Sequence, residues 1–268
     1  MTPTAREHYT HGHHESVLRS HSWRTVENSA AYLVSRLKPG LSVLDLGCGP
    51  GTITVDLADR VAPGRVVGVD AAAEVIAKAS ALGRSHPNAE FLVGDAYALD
   101  FPDDSFDLVH AHQVLQHVAD PVAVLREMRR VAKPGGLVAA RDVDYRGTIW
   151  YPPLPGLGEW MELYQQVHRS NGGEPNAGRR LKAWAMEAGF AEVEATASVW
   201  AFTDDEDRAW WGGMWAQRVL ESAFAADALG KGLAEQEDLD AISLAWSRWA
   251  ADPEATLFMP HGEIVALA

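Results

Sequence analysis

Short apolar runs alternate with amphipathic stretches along the first half of the chain. Each apolar run has the length of a buried strand, and we place strands at 41–46, 66–70, 90–94, 106–111 and 137–142. The stretches between them have helical periodicity and predict helices at 22–37, 51–61, 72–82 and from Asp120 to the turn at 134–136. Because strands and helices alternate, the pattern predicts an α/β fold with a parallel sheet covered on both faces.

The second half is proline-rich at first and then mostly helical. We expect helices near 159–171 and 178–188, strands near 191–202, and a helical block over 204–250 that opens with a capping box between Thr203 and Glu206. Nine of the ten tryptophans lie after residue 149. We therefore divide the chain into an N-terminal lid or helix at 1–38, a ligand-binding core at 39–145, and a remainder at 146–268 with a tryptophan-rich cap.

The first predicted strand runs directly into a glycine-rich turn. Gly47, Gly49 and Gly51 follow Leu46 at alternate positions, and glycine accepts the positive φ angles that a tight strand-to-helix turn requires. Such a turn directs free amide N–H groups at a ligand above the strand end. The motif is typical of a site for an adenosine-type ligand.

Two carboxylates follow the next two strands. Asp70 comes roughly twenty residues after the glycine turn, where open sheets bind ribose hydroxyls, and Asp95 follows the third strand. Each residue alone is equally well explained as a helix N-cap. Because the carboxyl ends of parallel strands share one edge of the sheet, the set favours a ligand site.

The spacing of the glycines argues against a dinucleotide. The dinucleotide fingerprint needs a small residue one position after the third glycine of this chain, and Thr52 stands there. A nicotinamide-dependent oxidoreductase therefore remains only as an alternative.

Five ordered motifs resemble those of a known enzyme family. They are Asp45-Leu46-Gly47-Cys48-Gly49-Pro50-Gly51, Asp70, Gly94-Asp95-Ala96, the run from Phe101 to Asp107, and Lys133-Pro134-Gly135-Gly136. Together they resemble the class I S-adenosylmethionine-dependent methyltransferases, especially the ubiquinone/menaquinone-biosynthesis-like (type 11) group. The resemblance implies a doubly wound, Rossmann-like sheet of seven strands whose last strand, from 263 to 267, is antiparallel. It also implies S-adenosyl-L-methionine as cofactor. From the flanking segments themselves we expect an N-terminal helical lid and a C-terminal helical cap insertion.

The resemblance also implies which residues bind the cofactor. Asp45 would hold the methionine amine, Asp70 with Ala71 the ribose, and Asp95 with Ala96 the adenine. The other implied contacts are the loop residues Gly47, Gly49 and Gly51, the methionyl neighbours His112 and Gln113, and, for the carboxylate, Arg24. An arginine in a helix such as 22–37 is more often a solvated surface residue.

Methyl transfer to a hydroxyl or an acidic carbon also needs a base. The candidates near the ends of the fourth and fifth strands are His117, His168, Tyr145, Asp142 and Asp144. His117 is equally explained as a hydrogen-bonded core histidine.

Composition narrows the class of protein and of partner. Of the 268 residues, 47% are hydrophobic, as in an ordinary globular protein. The formal net charge of −14 disfavours a nucleic-acid partner, because nucleic-acid binding relies on a basic surface. We find no signal peptide or membrane-spanning run, which predicts a cytoplasmic protein with no membrane partner. As a separate expectation, the protein is a monomer or homodimer. Cys48, the only cysteine, excludes an intramolecular disulfide and a cysteine-based zinc cluster.

Two further features have competing interpretations. The histidines around Tyr9 at the N-terminus match no metal site, so we expect no metal and favour a lid that places Tyr9 or a histidine near the acceptor. The tryptophans of 204–250 either pack the cap onto the sheet or line a pocket for an aromatic or apolar small molecule. The favoured function is a small-molecule methyltransferase, and a non-methylating cyclase or binding protein of the same fold is a further alternative.

Overall fold

The computed structural model describes residues 23–268, so the predicted lid around Tyr9 and its histidines lies outside the described residues. One eight-stranded sheet organises the chain. Its strands are β1 (Ser42–Leu46), β2 (Arg65–Asp70), β3 (Ala89–Val93), β4 (Phe106–His112), β5 (Ala132–Val143), β6 (Ile149–Tyr151), β7 (Val193–Phe202) and β8 (Thr256–Leu267).

The strand order confirms the predicted doubly wound topology. Strands β3, β2, β1, β4 and β5 lie side by side and parallel, and β8 pairs antiparallel with both β5 and β7. The prediction of seven strands is one short, because the three residues of β6 pair with the part of β8 that extends beyond β5. A three-residue run carries too little periodicity to be recognised in a sequence.

Nine helices accompany the sheet in residues 23–268. They are α1 (Val26–Ser29), α2 (Thr52–Val61), α3 (Ala73–Leu82), α4 (Pro121–Val131), α5 (Pro155–Ser170), α6 (Leu181–Glu187), α7 (Asp205–Glu221), α8 (Ala223–Gly230) and α9 (Gln236–Ala251). None of them combines the length and the hydrophobicity that crossing a bilayer requires.

Three predicted helix boundaries were wrong, each for a local reason. The helix expected over 22–37 is broken at Ala30, whose φ of −141° is not helical, and a 3₁₀ helix follows at Ala31–Arg36. Helix α4 ends at Val131 because Ala132 is already extended, ahead of the Pro134 turn. Helix α7 is capped by Asp204, which accepts from the Asp207 amide, so the predicted Thr203 capping box is one residue out of register.

Alternate residues of the central strands build two cores. Val43 and Leu108 pack with α1 and α2 on one face, whereas Leu44 and Val109 pack with α4 and α6 on the other. Both faces are apolar, as expected of a parallel sheet covered on both sides. The carboxyl ends of β1, β2, β3, β4 and β5 therefore meet at one edge, which the two cores hold in place.

The tryptophan-rich cap has a core of its own. Trp160, Trp215, Trp246 and Trp249 are fully buried, and the Trp160 ring lies edge-on to both Trp215 and Trp246 with centroids 4.8 Å apart. These rings pack α5, α7 and α9 together and against β7 and β8. For these tryptophans, the geometry is that of packing.

Candidate active site

The glycine turn after β1 has the strained geometry that only glycine adopts readily. Gly47, Gly49 and Gly51 have φ angles of 66°, 55° and 89°. A Cβ atom on Gly47 would lie 2.3 Å from Cγ2 of Val114, and one on Gly51 would lie 2.8 Å from the Phe91 ring. Any side chain there would displace the segment after β4 or the ring that packs behind the loop.

Asp70 at the end of β2 is tied to this turn. Its Oδ2 accepts a hydrogen bond of 3.1 Å from the Gly49 amide, and its Oδ1 accepts one of 3.0 Å from the Ala72 amide. Ala71 is exposed between them. Helix α3 has Ala72 as its N-cap residue, so Asp70 is not the cap. The carboxylate instead joins the ends of β1 and β2.

Asp95 and Ala96 lie in the turn after β3. The Asp95 Oδ1 accepts from the Tyr97 amide at 2.9 Å, which fixes the turn beside the β2 end. Ala96 is partly buried against the core below. The third strand thus adds a polar side chain and a small apolar one to the same edge of the sheet.

Asp45 lies inside the sheet rather than at its edge. Its side chain is buried, and its two oxygens accept from the Thr54 hydroxyl at 2.6 Å and from the His110 Nδ1 at 2.8 Å. These bonds connect β1, α2 and β4 beneath the glycine turn. The carboxylate therefore fixes the position of the loop from below.

His112 and Gln113 end β4 next to the loop. Gln113 has a φ of 54°, and its amide donates to the Arg141 carbonyl at 2.7 Å. Its side-chain oxygen accepts from Arg24 at 2.6 Å, and its Nε2 donates to the His261 Nε2 at 2.9 Å. Because Nε2 of His261 accepts, its Nδ1 carries the proton and donates to the Met259 carbonyl at 3.1 Å.

Trp200 of β7 is the centre of a buried cluster that the sequence analysis did not single out. Its ring centroid lies 4.3 Å from that of His261, 5.8 Å from that of His112, and 5.0 Å from the Arg141 guanidinium carbon. The Arg24 guanidinium carbon is 5.8 Å away. Trp200, Arg141 and His261 lie far apart in sequence and belong to no motif, so only the pairing of β5, β8 and β7 brings them together.

The three predicted catalytic residues form a second group at α5, which itself carries His168. The His117 and His168 rings lie 5.0 Å apart, and the Tyr145 ring lies 4.0 Å from that of Tyr164. The His168 Nε2 donates to the Gln116 carbonyl at 2.7 Å, and its Nδ1 lies 3.2 Å from the Tyr164 hydroxyl. Burial lowers the pKa of His168 to about 4 and holds that of His117 well below its ordinary value, so both imidazoles are neutral at pH 7.

Asp142 lies beside this second group at the end of β5. It is fully buried, and its Oδ1 accepts from the Gln116 amide at 3.2 Å. Burial raises its pKa to about 7, against the hydrogen bonds from the Gln116 and Leu115 amides and the charge of Arg141. Asp144, which is also buried, instead pairs with the exposed Arg179.

The Cys48 thiol in the glycine turn contributes no chemistry at the site. Burial raises the pKa of the Cys48 thiol, so it is protonated and unreactive at neutral pH. Residues 23–268 hold no group of three or more histidine, cysteine or carboxylate side chains arranged for a metal ion.

Known proteins resemble the chain over this whole region. Residues 37–197 match the family described as Methyltransferase domain. The chain is 37% identical over 275 residues to an uncharacterized methyltransferase of Schizosaccharomyces pombe, covering 98% of this chain and 97% of that one. It is 41% identical over 171 residues to the demethylmenaquinone methyltransferase of Lactococcus lactis, covering 58% and 68% of the two chains.

A solved structure supports the same fold. The YcgJ protein of Bacillus subtilis superposes with a TM-score of 0.58 at 22% identity, covering 90% of this chain and 98% of that one. The family match and the nearly full-length relative agree with the ordered motifs and with the strand order. The chain belongs to the class I S-adenosylmethionine-dependent methyltransferases.

Proposed function

We propose that this protein transfers the methyl group of S-adenosylmethionine to a small molecule with an aromatic or apolar body. The hydrogen bond from the Gly49 amide to the Asp70 carboxylate is the observation that carries the proposal. It brings a side-chain-free turn and a hydroxyl-binding carboxylate to adjacent strand ends. That combination suits a ribose attached to an amino-acid chain.

The residues present fit the cofactor. Any Cβ on Gly47 would collide with Val114, so only glycine keeps the turn in this conformation. In our proposal the turn at 47–51 holds the methionyl part, Asp70 and Ala71 the ribose, and Asp95 and Ala96 the adenine. His112 and Gln113 flank the methionyl part, and Arg24, which Gln113 orients, pairs with its carboxylate.

Asp45 has a supporting role in this proposal. Its oxygens already accept from Thr54 and His110, but a carboxylate offers about four lone-pair sites. It therefore retains capacity for a water-mediated contact with the methionine amine. Its main contribution is to hold the glycine turn at a fixed height above β1.

The bound cofactor supplies a methyl group that its sulfonium charge has already activated. The protein then has to align the acceptor atom with the methyl group and exclude water, and such positioning contributes roughly 7–11 kcal/mol. For a hydroxyl or acidic-carbon acceptor, we propose that His117 or His168 takes the proton. Both are buried and neutral, with lowered pKa values, and Tyr145 fixes the ring of Tyr164 beside them.

The proposal is tested by incubating the purified protein with S-adenosylmethionine labelled in the methyl group and fractionated metabolite extracts. We expect a product that carries the label, together with one equivalent of S-adenosylhomocysteine. The Asp70→Ala variant serves as control and should form little of either. A product that lacks the methyl group would identify a cyclase, and an absence of any product would contradict transfer to a small molecule.

A further inference from the structure

Arg141 has hydrogen-bond donors that the fold does not use. The residue is 1% exposed, and its Nε donates to the Ser198 hydroxyl at 3.0 Å and to the Glu263 carboxylate at 3.3 Å. Its Nη1 and Nη2 atoms are buried and make no hydrogen bond within residues 23–268. Buried donors of a charged group are costly to leave unpaired, so these two atoms indicate a site for an acceptor.

Neighbouring side chains share this property. His112 is the register partner of Arg141 on β4, and both of its ring nitrogens are buried without a hydrogen bond in the described residues. The Tyr32 hydroxyl is also buried without a hydrogen bond in the described residues. Burial raises the pKa of Tyr32 against the nearby charge of Arg141. The unused polar atoms thus belong to three side chains, since Arg141 acts electrostatically on both Tyr32 and His112, rather than to a single misplaced group.

The cluster lies at the height of the glycine turn. Leu46 and Ala111 are register partners on β1 and β4, so the residues that follow them, Gly47 and His112, lie side by side. Arg141 is one strand further away from the loop. A methyl acceptor bound beside the methionyl part of the cofactor would therefore reach the Arg141 guanidinium with the end that lies farther from the cofactor.

The cluster also contains an indole ring and a buried cation. The Trp200 indole lies 5.0 Å from the Arg141 guanidinium carbon, and such a ring can stack on a planar ligand. Burial lowers the pKa of Arg141 to about 10, which leaves the guanidinium charged at pH 7. Its partner Glu263 also accepts from Ser198 and Thr196, so that carboxylate is shared among several donors.

We propose that Arg141, with Tyr32 and His112, forms an oxyanion subsite in which the methyl acceptor places the carboxylate or phenolate oxygen of a planar ring system. This inference rests on the proposed methyl transfer and names the class of its acceptor. Placing an anion in the subsite satisfies both Nη atoms of Arg141 and adds a charge-assisted pair inside a water-poor region.

The test compares naphthoate with the neutral naphthamide of the same shape. Each is titrated calorimetrically into protein saturated with S-adenosylhomocysteine. Arg141→Met alone would leave Glu263 as an unpaired buried charge, so the variant is the double change Arg141→Met with Glu263→Gln. Glu263→Gln alone is the matched control: it keeps the guanidinium and removes the competing carboxylate, so its preference for naphthoate should be at least that of the wild type.

We expect the wild type and Glu263→Gln to bind naphthoate about ten- to a hundred-fold more tightly than naphthamide. The double variant should lose that preference and keep its affinity for S-adenosylhomocysteine. Equal binding of the two probes by the wild type, or a preference that survives in the double variant, would overturn the subsite. Loss of S-adenosylhomocysteine affinity in the double variant would assign Arg141 to the cofactor carboxylate and also overturn it. A wild type that does not bind S-adenosylhomocysteine would instead overturn the proposed function itself.

Discussion

The Gly49 amide donates a 3.1 Å hydrogen bond to the Asp70 carboxylate, and this contact joins the turn after β1 to the end of β2. The second oxygen of Asp70 is held by the Ala72 amide. The carboxylate is therefore fixed in orientation before any ligand arrives. Preorganisation of this kind reduces the entropy that binding would otherwise cost.

Asp70→Ala should weaken binding of S-adenosylhomocysteine by about ten- to a hundred-fold, because a charged acceptor for two ribose hydroxyls contributes about 1.5–3 kcal/mol. Isothermal titration calorimetry measures the change directly. The exposed Glu90→Ala, on neighbouring β3, is the control and should bind as the wild type does. Unchanged affinity in Asp70→Ala would remove this carboxylate from the site.

Gly47→Ala should abolish cofactor binding while leaving much of the fold intact. The new methyl group would meet Val114 at 2.3 Å on a residue with a φ of 66°, and both the collision and the strain push the turn away from its ligand. Gly213→Ala is the matched control, since nothing lies within 4 Å of the added carbon in helix α7. That control should keep its affinity and gain up to about 1 kcal/mol in stability. Wild-type affinity in Gly47→Ala would contradict the placement of the loop.

Trp246→Ala should lower the free energy of unfolding by about 3–5 kcal/mol, because the ring is fully buried between α5 and α7. The affinity of the remaining folded protein for S-adenosylhomocysteine should not change. Trp150→Ala, at a partly buried position on β6, should lower the free energy of unfolding by less. Chemical denaturation followed by circular dichroism gives both values. A stable Trp246→Ala that loses only acceptor turnover would make this ring part of a pocket instead.

The stability of the protein should fall as the pH drops from about 6.5 toward 4. Burial holds the pKa values of His112, His117, His168 and His261 below the ordinary value, that of His168 at about 4. Between these pH values the histidines of the unfolded chain bind protons and those of the folded chain do not. The free energy of unfolding therefore falls by up to about 1.4 kcal/mol per histidine and pH unit. Denaturant titrations at pH 7.5, 6 and 5 follow the loss, and equal stability at these three values would contradict it.

Asp142 has the opposite effect on the pH dependence, because it lowers the stability of the protein as the pH rises. Burial raises its pKa to about 7, so folding opposes its ionisation, and the penalty grows from about pH 4 to pH 7. Asp142→Asn removes the penalty and should stabilise the protein at pH 8 relative to the wild type, by up to about 4 kcal/mol. The two proteins should differ little at pH 4. A stability difference that does not change with pH would contradict this assignment.

The sequence was sufficient for the central sheet and for the glycine turn and carboxylates at the ends of its strands. Strands β1 to β5 are apolar runs whose periodicity is local, and Gly47, Asp70 and Asp95 stand at their ends. These features follow from short stretches of chain. The break at Ala30 was missed because no proline or glycine marks it in the sequence, and the short β6 was missed because three residues carry too little periodicity.

The buried cluster around Trp200 could not be predicted in the same way. Arg141, Trp200 and His261 are brought together by strand pairs that join β5 with β8 and β8 with β7. No local spacing links them, and each has an ordinary structural explanation in isolation. The resemblance to the methyltransferases covers the cofactor motifs, which recur among enzymes with different acceptors.

The most direct test of the account is a crystal structure of the protein grown with S-adenosylhomocysteine. We expect the ribose hydroxyls at the Asp70 carboxylate and the amino-acid part over the turn at 47–51. A ligand bound anywhere else, or a protein that takes up none of it, would contradict the central claim.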